Sequence, residues 1–293
     1  LQAWYLKKGH HTLLYAALLE LALQPCGFLS AYMGTIKNYP HLDFYFRNLD
    51  GQAELKHWPL IPGKTIHNRV QLLSSSTLGE TIIQNYAFQL STAGKVFYSG
   101  TSSFGYFTAN QLRSQAGLDS GKTSIPWKEN HPESGNWCSF PDRPDQVRQK
   151  PGLPRPSRLW ISPRGGNREK GYLYFTHPVD PGDWYFRNHF YQDPVMPGSL
   201  GVQLMSGALQ AGASRLGLPG DLRWRIKPGP PFRWKYRGQI IPETPQVRVE
   251  LHLSQLSVTP QLVQLQGEGT LWKGQTPIYR VQNLALEGHR TGI

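Results

Sequence analysis

The sequence predicts an α+β protein in which a long helix followed by antiparallel strands occurs twice. Three observations carry that expectation. An apolar helical segment comes early in the chain, alternating β-branched and aromatic runs follow it, and the same order returns after a Pro-rich stretch. A length of 293 residues suits two such units.

Composition sets the limits. Charged residues are 17% of the chain and aromatics 12%, so there is ample material for packed cores and general disorder is excluded. Lys and Arg exceed Asp and Glu by 31 to 19, a net charge of +12 that would steer an acidic partner. The two cysteines, Cys26 and Cys138, sit in unlike contexts, which excludes a disulfide framework and a cysteine zinc site and suits a reducing, cytoplasmic setting. The chain enters a helix-like segment at once and shows no secretory leader, as a piece of a longer polypeptide would.

The first element runs from Thr12 to Met33, and about 22 residues at a rise of about 1.5 Å could span a bilayer. Glu20 and Gln24 lie one turn apart on one of its faces and Pro25 would kink it. An ionisable group there is expensive in lipid, so the segment reads as a helix inside a protein, closed by Gly34. From Asp43 to Tyr106 the runs DFYFRNL, GQAELKHW, KTIHNRVQLLSSST, ETIIQNYAFQLS and GKVFYSGTSSFGYF read as antiparallel strands. A short helical piece begins at Asn110, and the Pro-, Gly- and charge-rich residues after it read as a linker.

Beyond the linker, LWISP and KGYLYFTHPV are strand-like, the residues from Asp180 to Gly198 are loop-rich, and SLGVQLMSGALQAGASRLG is an amphipathic helix ended by Gly217. Four more strand-like runs complete the repeat. The expected division is a first unit at 1–109, incomplete at its N-terminal side, a helix and linker at 110–157, and a second unit at 158–293. Aligning Arg69-Val70-Gln71 with Arg237-Gly238-Gln239 sets a register for the repeat. The hexapeptides DFYFRN at 43–48 and DWYFRN at 183–188 are nearly identical, but one follows its helix and the other precedes one, so the likeness reads as shared β-propensity.

The string HFYQDPVMPGSLGVQLM, from His189 to Met205, is the most informative in the chain. It offers a His, a rigid DPVMPG turn, and Gly198-Ser199-Leu200-Gly201 opening a helix whose first N–H groups point outward. A base and an oxyanion donor would be neighbours there. Taken as a lone His, a hydrogen-bonded structural role is the plainer reading.

HFYQDPVMPGSLG resembles the active-site motif of the FabA-like β-hydroxyacyl-[acyl carrier protein] dehydratases. The resemblance extends over nearly the whole chain, and is strongest to the dehydratase regions of polyunsaturated fatty acid synthases and related polyketide-type synthases. LLELALQPCGFLSAYMG, YFRNLDG and GKVFYSGTSSFGYFTANQLRSQAGLD carry it. It implies a double hot-dog fold, each unit a sheet wrapped around a long central helix, forming an internal pseudo-dimer open to further dimerisation. In the family, the His of one unit works with an acid on the partner unit's helix.

By that resemblance His189 is the base, the Gly198 N–H is the oxyanion donor, and Phe190, Pro194, Pro197 and Gln24 belong to the substrate-binding surroundings. The acid position on the helix after His189 falls at Gln203, which cannot act as an acid. Glu20, with Gln24 four residues on, matches the family's acid-xxx-Gln spacing on the first helix. One site is expected, made by His189 and Glu20, and a vestigial one from His10 or His11 with Gln203.

The implied reaction is dehydration of a (3R)-3-hydroxyacyl thioester to the trans-2-enoyl thioester on an acyl carrier protein, with trans-2/cis-3 isomerisation left open. Glu20 would have to be protonated, which apolar surroundings favour. No cofactor or metal is expected, and His131, Cys138 and Asp142 lack metal-ligand spacing. The partners implied are acyl carrier protein and neighbouring synthase domains, with no nucleic acid and no membrane span. Arg113, Arg223, Arg225, Lys227, Arg233, Lys235 and Arg237 are candidates for carrier docking or simply a solvated basic face. The alternatives are a double hot-dog that binds or scaffolds acyl chains without turnover, and a hot-dog thioesterase. Cys26 reads as a small core residue.

Overall fold

The computed structural model describes residues 14–59, 61, 63–122, 124–139, 153–154, 156, 158–219, 222–229 and 231–290. Its helices are α1 (Tyr15–Tyr32), α2 (Ala109–Arg113), α3 (Trp127–Asn130), α4 (Trp184–Asn188) and α5 (Gly198–Gly212). The first group of strands is β1 (Tyr45–Leu55), β2 (His67–Leu78), β3 (Thr81–Thr92) and β4 (Lys95–Phe107). The rest are β5 (Asn136–Ser139), β6 (Arg158–Ser162), β7 (Tyr172–Pro178), β8 (Leu222–Ile226), β9 (Phe232–Tyr236), β10 (Gln246–Val258), β11 (Leu262–Lys273) and β12 (Thr276–Arg290). The described residues up to Gln115, with Pro228–Tyr236, form one compact unit, and the remainder forms a second. Each unit packs one long helix against an antiparallel sheet, the double hot-dog architecture.

In the first unit the strands run in the order β2-β3-β4-β1-β9, all antiparallel. Helix α1 lies on β2 and β3 and buries Leu18, Ala22, Cys26 and Ser30, each 0% exposed and four residues from the next. That spacing is one face of a helix. Pro25 sits inside α1 and removes the N–H that would serve the carbonyl four residues earlier. That carbonyl belongs to Leu21, and Asn68 of β2 donates to it from Nδ2 at 2.6 Å. At the far end of the same face Gln84 Oε1 accepts from Ser30 Oγ at 2.5 Å and from Tyr86 OH at 2.7 Å. Ser30 Oγ also meets Tyr106 OH at 2.6 Å, so the helix is pinned to β3 and β4 by buried hydrogen bonds. Gly34, in the left-handed region at φ +69°, ends it.

Strand β9 stands beside β1, pairing Gly51 with Trp234, although the sequence pattern counts it with the second unit. A Cβ at Gly51 would run into the Trp234 indole, so the glycine admits the ring. The unit that reads as incomplete in the sequence is thus extended by a strand that follows α5 in the chain.

In the second unit the order is β12-β11-β10-β7-β6-β5, with β8 on β12. Helix α5 buries Val202, Leu204, Met205, Ala208 and Leu209 at 0% exposure. Gly201 brings it close to β12, since a Cβ there would lie 2.9 Å from the Tyr279 ring. The residues read as a linker are partly folded into this unit. The Trp127 backbone N–H donates to Glu250 at 2.8 Å, its ring lies 4.8 Å from that of Tyr172, and β5 pairs with β6. Lys128 Nζ is 5.5–5.7 Å from the ring centres of Trp137, Trp160 and Tyr174. Pro and Gly density describes backbone stiffness, whereas Trp127 and Trp137 supply apolar and π surface worth burying.

Two further expectations change. The repeat register fails, because Arg69–Gln71 lies within β2 while Arg237–Gln239 follows β9 outside any strand. Most of DFYFRN is in β1, whereas DWYFRN forms α4 behind its N-cap Asp183. Among the described residues no helix is long and apolar enough to cross a membrane.

Candidate active site

His189 is the C-cap of α4, a five-residue helix whose last turn delivers it to the loop before α5. Its N–H donates to Tyr185 O at 2.8 Å, and its carbonyl accepts from Val195 N at 2.8 Å. Phe190 and Asp193 exchange backbone hydrogen bonds at 2.9 and 3.2 Å, and Met196 N donates to Ile240 O at 2.8 Å. The DPVMPG turn is thus tied at both ends. The His189–Phe190 peptide is cis, and the two rings lie 3.9 Å apart.

The imidazole Nδ1 lies 2.9 Å from Val195 O. A carbonyl oxygen can only accept, so Nδ1 carries a hydrogen, and in the neutral imidazole the lone pair is then on Nε2. That tautomer is the one a general base needs. Beneath it, Tyr185 is 1% exposed and donates its phenol to Asp183 at 2.8 Å. Burial first, then the bond to Asp183, raise its titration well above the ordinary tyrosine range, so the phenol stays protonated and keeps this bond at the start of α4.

Pro197 is the N-cap of α5 and Gly198 its first residue. The Gly198 N–H therefore lies outside the ladder within α5, in the position of a donor to an incoming oxygen. Phe190 and Pro197 stand on either side of this turn, Pro197 buried and Pro194 exposed. Gln203 is on α5, half-buried, and supplies no carboxyl group.

The acid candidate belongs to the first unit. Glu20 is half-buried on α1, and Gln24 Nε2 donates to its Oε2 at 2.8 Å, so the acid-xxx-Gln spacing corresponds to a real contact one helical turn apart. Glu20 is half-buried, short of the enclosed apolar surroundings expected from the sequence, and its carboxyl group accepts from the Gln24 amide. Cys26 is 0% exposed on the opposite face, where burial pushes its thiol up to about 12, which agrees with a core role. His10 and His11 lie outside the described residues. The Tyr185–Asp183 clamp and the Asn68 amide were not singled out in the sequence. Asp183 four residues into DPGD was the available sign of an N-cap.

Residues 159–282 match the family model of a FabA-like domain, a span that includes the His189 loop and α5. Over 97% of its length the chain is 33% identical to a polyunsaturated fatty acid synthase polypeptide of Thraustochytrium sp. and spans about a fifth, 21%, of that relative. In fold it is similar to a Lactobacillus plantarum protein described as an oleoyl thioesterase, with TM-score 0.54, 10% identity, and 99% and 93% of the two chains covered. A 12:0-ACP thioesterase of Umbellularia californica gives TM-score 0.51, 11% identity, and 99% and 92% covered. At such identities the likeness to these structures concerns the fold alone.

Proposed function

The chain carries a FabA-like hot-dog dehydratase domain, and from that premise we propose that it converts (3R)-3-hydroxyacyl-[acyl carrier protein] to trans-2-enoyl-[acyl carrier protein] within a fatty acid or polyketide-type synthase. His189 Nε2 takes the C2 proton. Glu20 gives a proton to the 3-hydroxyl, which leaves as water as the C2–C3 double bond forms. C2–H, C3–O and the Glu20 O–H bond break while Nε2–H, a water O–H and the C2–C3 double bond form, and no electrons pass to or from the substrate, so the elimination itself requires no redox partner. The Gly198 N–H hydrogen-bonds the thioester oxygen as enolate character develops, and losing one such donor typically costs about 3–4 kcal/mol.

The observation that supports the reading is the hydrogen bond from His189 Nδ1–H to Val195 O, because it leaves Nε2 to accept a proton one short turn from the start of α5. Glu20 enters with its Gln24 partner, the acid-xxx-Gln pair that a long helix carries among the described residues, α5 having Gln203 at the acid position. The same proton-moving pair would suffice for trans-2/cis-3 isomerisation. An acyl carrier protein is the partner the chemistry asks for. Strand β9 offers it outward Arg233 and Lys235 between buried Phe232, Trp234 and Tyr236.

The test is formation of the conjugated enoyl thioester from a 3-hydroxyacyl pantetheine thioester. Native protein is expected to form it and His189→Ala to lose it by about a thousandfold. Equal rates in the two proteins would overturn the mechanism. Release of free pantetheine thiol by the native protein, with no enoyl product, would favour the thioesterase alternative. Binding of the thioester with neither product would favour the acyl-binding domain.

A further inference from the structure

Helix α1 has two opposed stripes. Leu18, Ala22, Cys26 and Ser30 are fully buried, while Glu20, Gln24, Phe28 and Tyr32 follow the same four-residue step two positions on. Two positions are about 200° of rotation at 3.6 residues per turn, so the second stripe lies on the opposite side. It is polar at one end and aromatic at the other. Glu20 and Gln24 are joined by their hydrogen bond, and beyond them Phe28 and Tyr32 are 73% and 80% exposed with their rings stacked at 6.3 Å and 20°. Met33 and Ile36, 45% and 40% exposed, continue the apolar surface past the helix end.

Two large aromatic rings stacked in water, on the outward face of a helix whose other face is fully packed, need an occupant. The order of chemistry along the stripe says which. A 3-hydroxyacyl thioester has its reacting hydroxyl at one end and an unbranched apolar tail at the other, the same polarity read from Glu20 to Tyr32. At a rise of about 1.5 Å per residue, Phe28 lies about 12 Å and Tyr32 about 18 Å along the axis from Glu20, the reach of a long tail and beyond that of a short one. A second copy of the chain is disfavoured as occupant by the +12 charge each would carry.

Resting on the dehydratase reading above, we infer that Phe28 and Tyr32 form a tail-binding track that makes α1 select long-chain 3-hydroxyacyl substrates over short ones. Phe28 and Tyr32 are specificity residues, and they touch the tail far from the reacting carbons. Gln24 spans the gap between track and acid.

The experiment compares kcat/KM for the 3-hydroxypalmitoyl and 3-hydroxybutyryl thioesters of pantetheine. In the native protein the long substrate is preferred, and the double variant Phe28→Ala/Tyr32→Ala lowers the long-to-short ratio by about tenfold, the loss of one good apolar contact. Phe28→Leu keeps most of the ratio. Leu78→Ala, at an exposed leucine of β2, leaves it unchanged. An unaltered ratio in the double variant, or an equal loss on both substrates, overturns the track while leaving the dehydratase intact. An unaltered ratio with a change in mass by light scattering overturns it in favour of self-association. If native protein turns over neither thioester, the activity fails separately. The track is then read by calorimetry with palmitoyl-pantetheine, which must bind more tightly than butyryl-pantetheine and lose that advantage in the double variant, or the track is overturned as well.

Discussion

The two central helices occupy the same place in their units and differ in almost everything else. Helix α5 begins with glycine against a capping proline, receives His189 just ahead of it, is buried along most of its length and carries Gln203 where an acid would stand. Helix α1 has a proline in its middle, a carboxylate paired with Gln24, and an outward aromatic stripe. On the proposed mechanism the difference is a division of labour, in which one helix supports the base and the oxyanion donor and the other bears the acid and an apolar surface.

Removing either reacting group is the sharpest way to break that division. Both His189→Ala and Glu20→Gln are expected to lower dehydration by about a thousandfold, whereas Gln203→Ala, at the position that has no acid to lose, lowers it by less than about tenfold. Stopped assays of enoyl thioester formation distinguish them.

Packing is the next contrast. Gly201→Val drives a branched side chain into the Tyr279 ring and should destabilise the second unit by about 1–3 kcal/mol, read as a lower urea midpoint. On α1 the sensitive point is a hydrogen bond. Asn68→Ala leaves the Leu21 carbonyl without its 2.6 Å donor and should cost about 1–2 kcal/mol. Adding Pro25→Ala to that variant restores a backbone donor and should recover most of the loss. No recovery would mean that Asn68 matters for packing alone.

The smallest effect concerns the thiols. With Cys26 fully buried and its thiol pushed up to about 12, iodoacetamide at neutral pH should label Cys138 and reach Cys26 only after unfolding. The raised value also has a sign. Its contribution to stability is complete below the thiol's unfolded range near 8–9 and is lost as pH rises from there towards 12. Labelling of Cys26 in native protein would mean that the inner face of α1 opens readily.

Much of this contrast could be read from residue patterns. The four-residue spacing of Glu20 and Gln24, the apolar length of α1, and the string from His189 to Gly201 are local features, and local features survive in sequence. Tertiary partners do not. DFYFRN and DWYFRN differ in one aromatic residue, yet most of the first pairs with β4 and the second coils into α4 after Asp183. Neighbouring structure outweighs propensity at that scale. The strand at Phe232–Tyr236 belongs to the sheet of β1 because Gly51 makes room for Trp234, a contact across more than half the chain that no periodicity announces. The Pro-rich residues around Trp127 looked like a linker because proline and glycine are easier to see than the buried Glu250 and Tyr172 that receive the tryptophan.

The central claim, that His189 and Glu20 act on one substrate as one site, is tested most directly by the rate of enoyl thioester formation in the double variant His189→Ala/Glu20→Gln beside the two single variants. Groups that work as a unit are lost together, so the double variant should be no slower than the slower single by more than a few-fold. Losses that multiply, or a Glu20→Gln protein as fast as the native one, would contradict it.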